Sequence, residues 1–492
     1  MQKFGRREFI RVVGQSAAAL IFGIPQKKGW AKPGEMVKTQ EGISNSISIK
    51  EVVDIHCHLF GIKYPIKELA TATWNYLFGN YPHKYHITKQ QKISTKQIGA
   101  VQGVKDFATW IARLLDVALS DCKGNYQTAN DMFENSAMRD KKPLFIAPLM
   151  MDIYFALDDN MDEMETQGKK QEAIPFEIDD DQKGQFEEHL NEIERLIDVE
   201  YQNLSISDEL VTKKARLKDI FQEVKRELME TDQKILKKKD YERIELSPGY
   251  ESHMRELEEI CEKHSGEVFP FLAADPRRIG IMELIKMKVD QGRGVFKGIK
   301  LYPPLGYIPT HPNLVEIYDY CQTHQIPVTV HCSDGGIRNF KKKNYVRRFD
   351  GPSYKEDFKS VDGNKSRFYA TPNNWKAVLK RWPELRINLA HFGGGDNFWS
   401  GDIGWMGSII NLMKEYQNVF ADLSYHTNPE IPRKLEKLVA ENAVLEDRLM
   451  FGTDFIMIML DRNCGGLKHY FNRFSGLDNK LLCENAKKFL KI

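Results

Sequence analysis

A chain of 492 residues, 41% hydrophobic and 28% charged, has apolar content for one large globular domain or two ordinary ones, which excludes a disordered or fibrous polypeptide. Its net charge of +2 conceals a basic start: residues 1–31 carry Lys3, Arg6, Arg7, Arg11, Lys27 and Lys28 against Glu8, so the remainder is mildly acidic. That balance gives no reason to expect nucleic acid or an anionic membrane as a partner, and the seven scattered cysteines, with no CxxC pair, argue against a disulfide framework.

The first element is the stretch "GRREFIRVVGQSAAALIFGIPQKKGWA", with twin arginines at Arg6 and Arg7, Phe9 two positions on, and a modest apolar run from Val12 to Ile24. It resembles a twin-arginine export signal, departing from the usual pattern at Gly5, Ile10 and Arg11. The apolar run is too short for a membrane span, so no stable membrane insertion is expected after processing. Residues 1–31 are therefore set aside as a signal, with export to the periplasm expected; an amphipathic helix on a cytoplasmic protein is the alternative.

Beyond it, short apolar, β-branched runs alternate with helical segments, as in a parallel sheet whose strands are buried on both faces. Strands are predicted near Val52 to His58, Leu144 to Met150, Val268 to Ala273, Phe296 to Tyr302, Pro327 to Cys332, Arg386 to His391, Asn418 to Leu423 and Arg448 to Asp454. Amphipathic segments such as "HPNLVEIYDYCQTHQ" and "NNWKAVLKRWPEL" separate them. Eight β-then-α units, with no phosphate-binding glycine-rich turn after the first strand, point to an α/β fold of the (β/α)8 TIM-barrel type. Two stretches exceed a minimal barrel. Residues 60–142 are long and aromatic, a cap over the barrel mouth in which Trp74, Tyr76 and Phe78 either line an apolar entrance or pack the segment. Residues 158–247 form a charge-dense helical insertion after the second strand, its charges a solvated face, with a lid or partner surface as the second reading. Residues 32–492 are read as one elaborated domain.

The chemistry gathers at strand ends. On the first strand "VVDIHCHLFG" sets His56 and His58 two apart, so both imidazoles project to one side, with Asp54 one step deeper as support. The fifth strand ends "PVTVHCSDGG" at His331, the sixth "RINLAHFGGGD" at His391 and the eighth "RLMFGTDF" at Asp454. In a barrel these ends share one rim, and imidazole nitrogens with a carboxylate suit zinc or a similar divalent ion. Each residue is also readable alone as a satisfied core polar group.

The ordered set "DIHCHLF", "GIKLYPPLGY", "TVHCSDGG", "LAHFGGGD" and "FGTDF" resembles the amidohydrolase superfamily, in its amidohydrolase-related (amidohydrolase 2) branch of metal-dependent TIM-barrel hydrolases and decarboxylases. The resemblance covers about residues 51–456 without the two insertions. It implies that His56, His58 and His331 ligate a metal, and that His391 ligates a second metal or polarises the substrate. Asp454 would be a ligand that also shuttles the proton. Lys300, at the end of the fourth strand, would be a carbamylated bridging ligand or a plain ammonium contacting a substrate carboxylate or Asp454, so one or two ions stay open. Asp334 and Arg338, in "SDGGIRNF", are candidates for substrate binding, Arg338 for an anionic group, with a surface ion pair as the other reading.

The expected activity is hydrolysis of an amide, ester or lactone of a small organic substrate by a metal-activated water. A metal-dependent decarboxylase and a non-catalytic metal-binding barrel are the alternatives. The expected partner is a small molecule, not nucleic acid, and a homo-oligomer is left open.

Overall fold

The computed structural model describes residues 51–68, 119–141, 143–156, parts of 184–199, 208–230, 246–289, 294–341, 343–358, 363–394, 404–460 and 465–492. The export signal and the aromatic stretch holding Trp74, Tyr76 and Phe78 lie outside them. Parallel strands carry the fold: β1 (Val52–Cys57), β2 (Leu144–Pro148), β3 (Phe271–Ala273), β4 (Gly298–Leu301) and β5 (Val328–Val330). A hairpin follows, β6 (Lys343–Val346) and β7 (Tyr354–Asp357), before β8 (Ile387–Leu389), β9 (Val419–Asp422) and β10 (Leu449–Met450).

Six strands pair in the order β10-β9-β8-β5-β4-β3, and β1 pairs with β2. Two seams complete the ring. At one, Phe269 N donates to Ile146 O (2.9 Å) and Met150 N to Phe271 O (3.0 Å), alongside parallel bridges Ile146 to Val268 and Leu149 to Phe271. At the other, Ile55 N donates to Phe451 O and Thr453 N to His56 O, each at 3.1 Å. The eight parallel strands thus form a TIM barrel, and the apolar runs of the sequence are its staves.

Apolar residues at the strand starts need a cover at the bottom, and the C-terminal helix Asn485–Leu490 supplies it. Phe489 stacks on Phe271 (6.3 Å between centroids, 4° between planes) and meets Phe420 at 5.3 Å, in one cluster with Val53, Ile55, Leu149 and Met450. Burying a phenylalanine this completely stabilises the fold by about 2–3 kcal/mol. The plug closes that end and leaves polar chemistry to the other. Outside the ring the helices are amphipathic: Leu314–His324 buries Leu314, Ile317, Tyr318 and Cys321 at helical spacing and stops at Gln325 in the left-handed region.

Gly298 is needed where β4 passes β3. A Cβ there would collide with the carbonyl of Pro327 and lie 2.5 Å from the Phe271 ring, which the plug holds fixed. Gly298→Ala is expected to lower stability by about 1–3 kcal/mol, seen as a lower urea midpoint; an unchanged midpoint would show that this stave shifts freely.

The hairpin was not foreseen. Its strands, "KNYV" and "YKED", show no apolar run; Val346 joins a small apolar cluster with Ile308, Phe358 and Tyr369, and the buried Lys365 ammonium donates to Asn339 Oδ1 (3.2 Å), Asn344 Oδ1 (2.6 Å) and the Lys341 carbonyl. Within the charged insertion, helix Asp208–Glu230 buries Leu217, Phe221 and Val224, and Lys63 and Lys67, after β1, pair with its Glu223 (2.5 Å) and Glu227 (2.7 Å). No helix among the described residues is long and apolar enough to cross a membrane.

Candidate metal centre

The alternation reading of β1 needs one correction. Val53 and Ile55 join the cluster under the plug, and the register against β2 shifts between Asp54 and Cys57. This bulge separates Asp54 from the face of His56. The Asp54 carboxylate accepts instead from Thr453 N (2.9 Å) and Thr453 Oγ1 (2.6 Å), tying β1 to the residue beside Asp454, and burial pushes its pKa up to about 7.

Past the bulge, His56 and His58 converge on Asp454. Asp454 Oδ1 lies 3.5 Å from His56 Nε2 and 3.2 Å from His58 Nε2, all three side chains being buried. The far nitrogens are fixed. His58 Nδ1 donates to the Leu149 carbonyl (2.8 Å), and His56 Nδ1 meets Asp422 Oδ2 (3.0 Å). Each contact leaves an Nε2 lone pair facing Asp454, the tautomer a metal requires. Neither His56 Nε2 nor Asp454 Oδ1 has a hydrogen-bond partner, an uncompensated arrangement for buried polar atoms. Ligand atoms about 2.1 Å from a shared tetrahedral ion would lie about 3.4 Å apart, so these three fit a divalent cation.

His331 and His391 close the centre from β5 and β8. His331 Nε2 donates to Gly335 O (3.0 Å), which turns Nδ1 inward to His391 Nε2 at 3.0 Å, and Tyr302 stacks on the His331 ring at 4.3 Å. His391 Nδ1 contacts Ser424 Oγ (2.8 Å). Burial lowers the pKa of His56, of His331 and of His391, the last to about 3, with the neighbouring charges of Lys300 on His56 and of His56 on His391 adding to it. These imidazoles are neutral at physiological pH, as ligands must be. Burial would raise Asp422 and Asp454, but the adjacent histidines hold both below the usual carboxylate range.

His391 and Asp454 both have positive φ, 62° and 61°. Such left-handed positions cost on the order of 1–3 kcal/mol for non-glycine residues and persist where the surroundings dictate them. Here they turn both side chains inward at the strand ends. Lys300 is buried as well; its Nζ has no hydrogen-bond partner, lies 5.8 Å from the Tyr302 ring centre, and is lowered to about 8 by burial against the pull of Asp422 and Asp454.

The structure thus brings His56, His58, His331, His391, Asp454 and Lys300 to one end of the barrel. Asp334 does not join them. Its carboxylate turns outward to the largely exposed Arg367 (2.7 Å), the surface ion pair that was the alternative reading. Arg338 is buried and close enough to Tyr302 to act on its hydroxyl electrostatically.

Sequence reasoning missed Asp422, the hub of the polar network. Besides His56 it accepts from Asn388 Nδ2 (2.7 Å), His391 N (3.0 Å) and Ser424 N (3.1 Å). Its signal was available: it is a carboxylate closing the apolar seventh barrel strand in "NVFADLS".

A family model described as Amidohydrolase, of the amidohydrolase 2 type, matches residues 239–492, while no curated protein matches the chain. Among solved structures, an uncharacterised TIM-barrel protein of Bordetella bronchiseptica is 20% identical, with 48% of this chain and 71% of that one covered and a TM-score of 0.32. A 5-carboxyvanillate decarboxylase of Novosphingobium aromaticivorans, complexed with manganese and a nitrobenzoic acid, is 14% identical over 49% and 70% of the two chains, with a TM-score of 0.34. A 4-oxalomesaconate hydratase of Rhodopseudomonas palustris is 11% identical over 89% and 95%, with a TM-score of 0.41. With its model spanning more than half of the residues, the chain belongs to the amidohydrolase 2 family.

Proposed function

We propose that the protein is a metal-dependent hydrolase acting on an amide, ester or lactone of a small organic molecule. The observation that carries this reading is Asp454: an ionised, buried carboxylate with one oxygen 3.5 Å from His56 Nε2 and 3.2 Å from His58 Nε2. His56, His58 and Asp454 would hold the ion, zinc by the chemistry of the donors, and His331, whose Nδ1 meets His391 Nε2 at 3.0 Å, would join them. A divalent ion there supplies Lewis acidity and a water acidified toward neutral pH. Asp454 is the base beside that water, able to accept its proton and return it to a leaving group. His391 Nε2, shared with His331 Nδ1, is the group that would polarise a scissile carbonyl.

A specific observation favours a second reading, decarboxylation: the uncompensated Lys300 ammonium and the buried Arg338 would suit a substrate carboxylate. Mass spectrometry of products distinguishes the two, since hydrolysis adds a water to the substrate's atoms and decarboxylation removes carbon dioxide. Chelation is expected to lower turnover by roughly two orders of magnitude or more, with zinc restoring it. Turnover indifferent to chelators would overturn both readings. The same proposal takes residues 1–31 as an export signal and the protein as periplasmic, on the sequence alone.

A further inference from the structure

We infer that Asp54 and Thr453 form a latch across the seam that closes the barrel, and that this latch positions Asp454 against His56 and His58, so that holding an ion and keeping the ring shut are coupled. The coupling rests on the proposed metal centre and not on the reaction assigned to it. Its ground is where the proposed ligands stand: His56 and His58 are on the first strand of the ring or just past it, and Asp454 follows the last.

The seam between those strands is built unlike its neighbours. β4 and β5 pair in continuous register, Ile299 with Val328, Lys300 with Thr329 and Leu301 with Val330. Among the described residues β1 is laddered to β2 alone, and β10 is two residues long. The first and last strands meet through Ile55 N and Phe451 O (3.1 Å) and through one carbonyl, His56 O, which accepts from both Thr453 N (3.1 Å) and Asp454 N (2.7 Å). Asp54 supplies what the ladder lacks. Its Oδ1 accepts from Thr453 N (2.9 Å) and from His56 N (3.3 Å), and its Oδ2 accepts from Thr453 Oγ1 (2.6 Å), with both side chains buried. Thr453 Oγ1 in turn accepts from Phe455 N (3.0 Å). One carboxylate thus grips backbone on both sides of the seam, and the hydroxyl carries that grip past Asp454, whose φ is 61°. Gly452 lets the strands come this close, since a Cβ there would lie 3.0 Å from His56 Cβ.

The two halves of the latch are 399 positions apart. Bringing such distant residues together costs chain entropy, and an ion held by His56 and His58 on one side and Asp454 on the other is a second clip over the same loop. Once either clip has formed, the other closes no new loop and forms more readily. Linkage makes the effect reciprocal: a weaker latch lowers the affinity for the ion, and loss of the ion loosens the seam by the same factor. The imidazoles themselves are oriented elsewhere, His56 Nδ1 by Asp422 and His58 Nδ1 by the Leu149 carbonyl. A change confined to the latch therefore reaches the ion through the placement of Asp454, which makes Asp54 and Thr453 positioning residues.

The experiment measures zinc affinity by chelator competition, and hydrogen–deuterium exchange with and without zinc. In the wild type zinc is expected to slow exchange about tenfold or more in peptides covering 52–58 and 449–456, and by less in those covering 298–301 and 328–330. Thr453→Val and Asp54→Asn, each removing the bond from Oγ1 to Oδ2, are expected to weaken zinc binding about tenfold or more, while Thr453→Ser stays within about threefold of the wild type. Folded Thr453→Val with wild-type zinc affinity would overturn the inference. Zinc protection spread evenly over the staves would do the same without recourse to any variant, and would leave the metal centre standing. Protection concentrated at the seam in a protein without chelator-sensitive turnover would sink the catalytic reading and leave the coupling in place. A wild type that takes up no zinc would sink both.

Discussion

Asp454→Asn is expected to abolish turnover, by roughly 10²–10⁴-fold, while leaving the fold intact. The substitution is well isolated. Asp454 has φ near 61°, and asparagine tolerates that left-handed conformation nearly as well as aspartate, so the backbone turn survives. The backbone contact that fixes it, Asp454 N donating to His56 O at 2.7 Å, is independent of the side chain. What disappears is the negative charge facing His56 Nε2 and His58 Nε2, and with it both a ligand and a base. Zinc affinity, from chelator competition, should fall by at least the 10–100-fold typical of losing a residue that only orients a ligand. A variant with wild-type zinc affinity and rate would show that the metal and the chemistry lie elsewhere.

Asp422 shows why the centre survives burial. A carboxylate without solvent needs its oxygens filled, and this one accepts from the backbone of both His391 and Ser424, from Asn388, and meets His56 Nδ1. It orients two histidines from different strands at once, so its place in the site is that of a positioning residue behind His56 and His391.

The eight barrel strands were legible because a strand buried on both faces must be apolar throughout, and "TVTV"-like runs such as "PVTVHC" stand out between polar helices. The strand-end histidines were legible for the complementary reason: a charge-capable residue closing an apolar run is conspicuous. What escaped follows from the same physics. The hairpin β6–β7 is half solvated and held by the Lys365 ammonium and the apolar contacts of Val346, so no apolar periodicity marks it. Asp54 seemed to share the face of His56 because alternation is the default, and a one-residue bulge leaves no compositional trace. Asp334 and Arg338 are four residues apart in one glycine-containing loop, and only the loop's path sends one outward to Arg367 and buries the other.

The largest effect expected on stability is at the buried Arg278–Asp152 pair. Arg278→Met should destabilise the protein by about 3–5 kcal/mol, read as a lower urea midpoint. The guanidinium of Arg278 is buried, bidentate to Asp152, and 4.5 Å from the centre of the Tyr250 ring, so it joins the loop after β2 to the loop after β3 and to helix Pro248–Lys263. Methionine keeps much of the volume and the packing on Tyr250 but strands the Asp152 carboxylate in a dry pocket. Glu68, whose carboxyl burial already pushes up to about 7, loses the cation that restrains it and shifts further. Removing both charges in Arg278→Met with Asp152→Leu should recover most of the loss, because the penalty comes from the orphaned charge and not from the missing attraction. If the single variant cost under about 1 kcal/mol, Asp152 would have to be protonated or hydrated in the folded state, and the pair would not be what ties the two loops together.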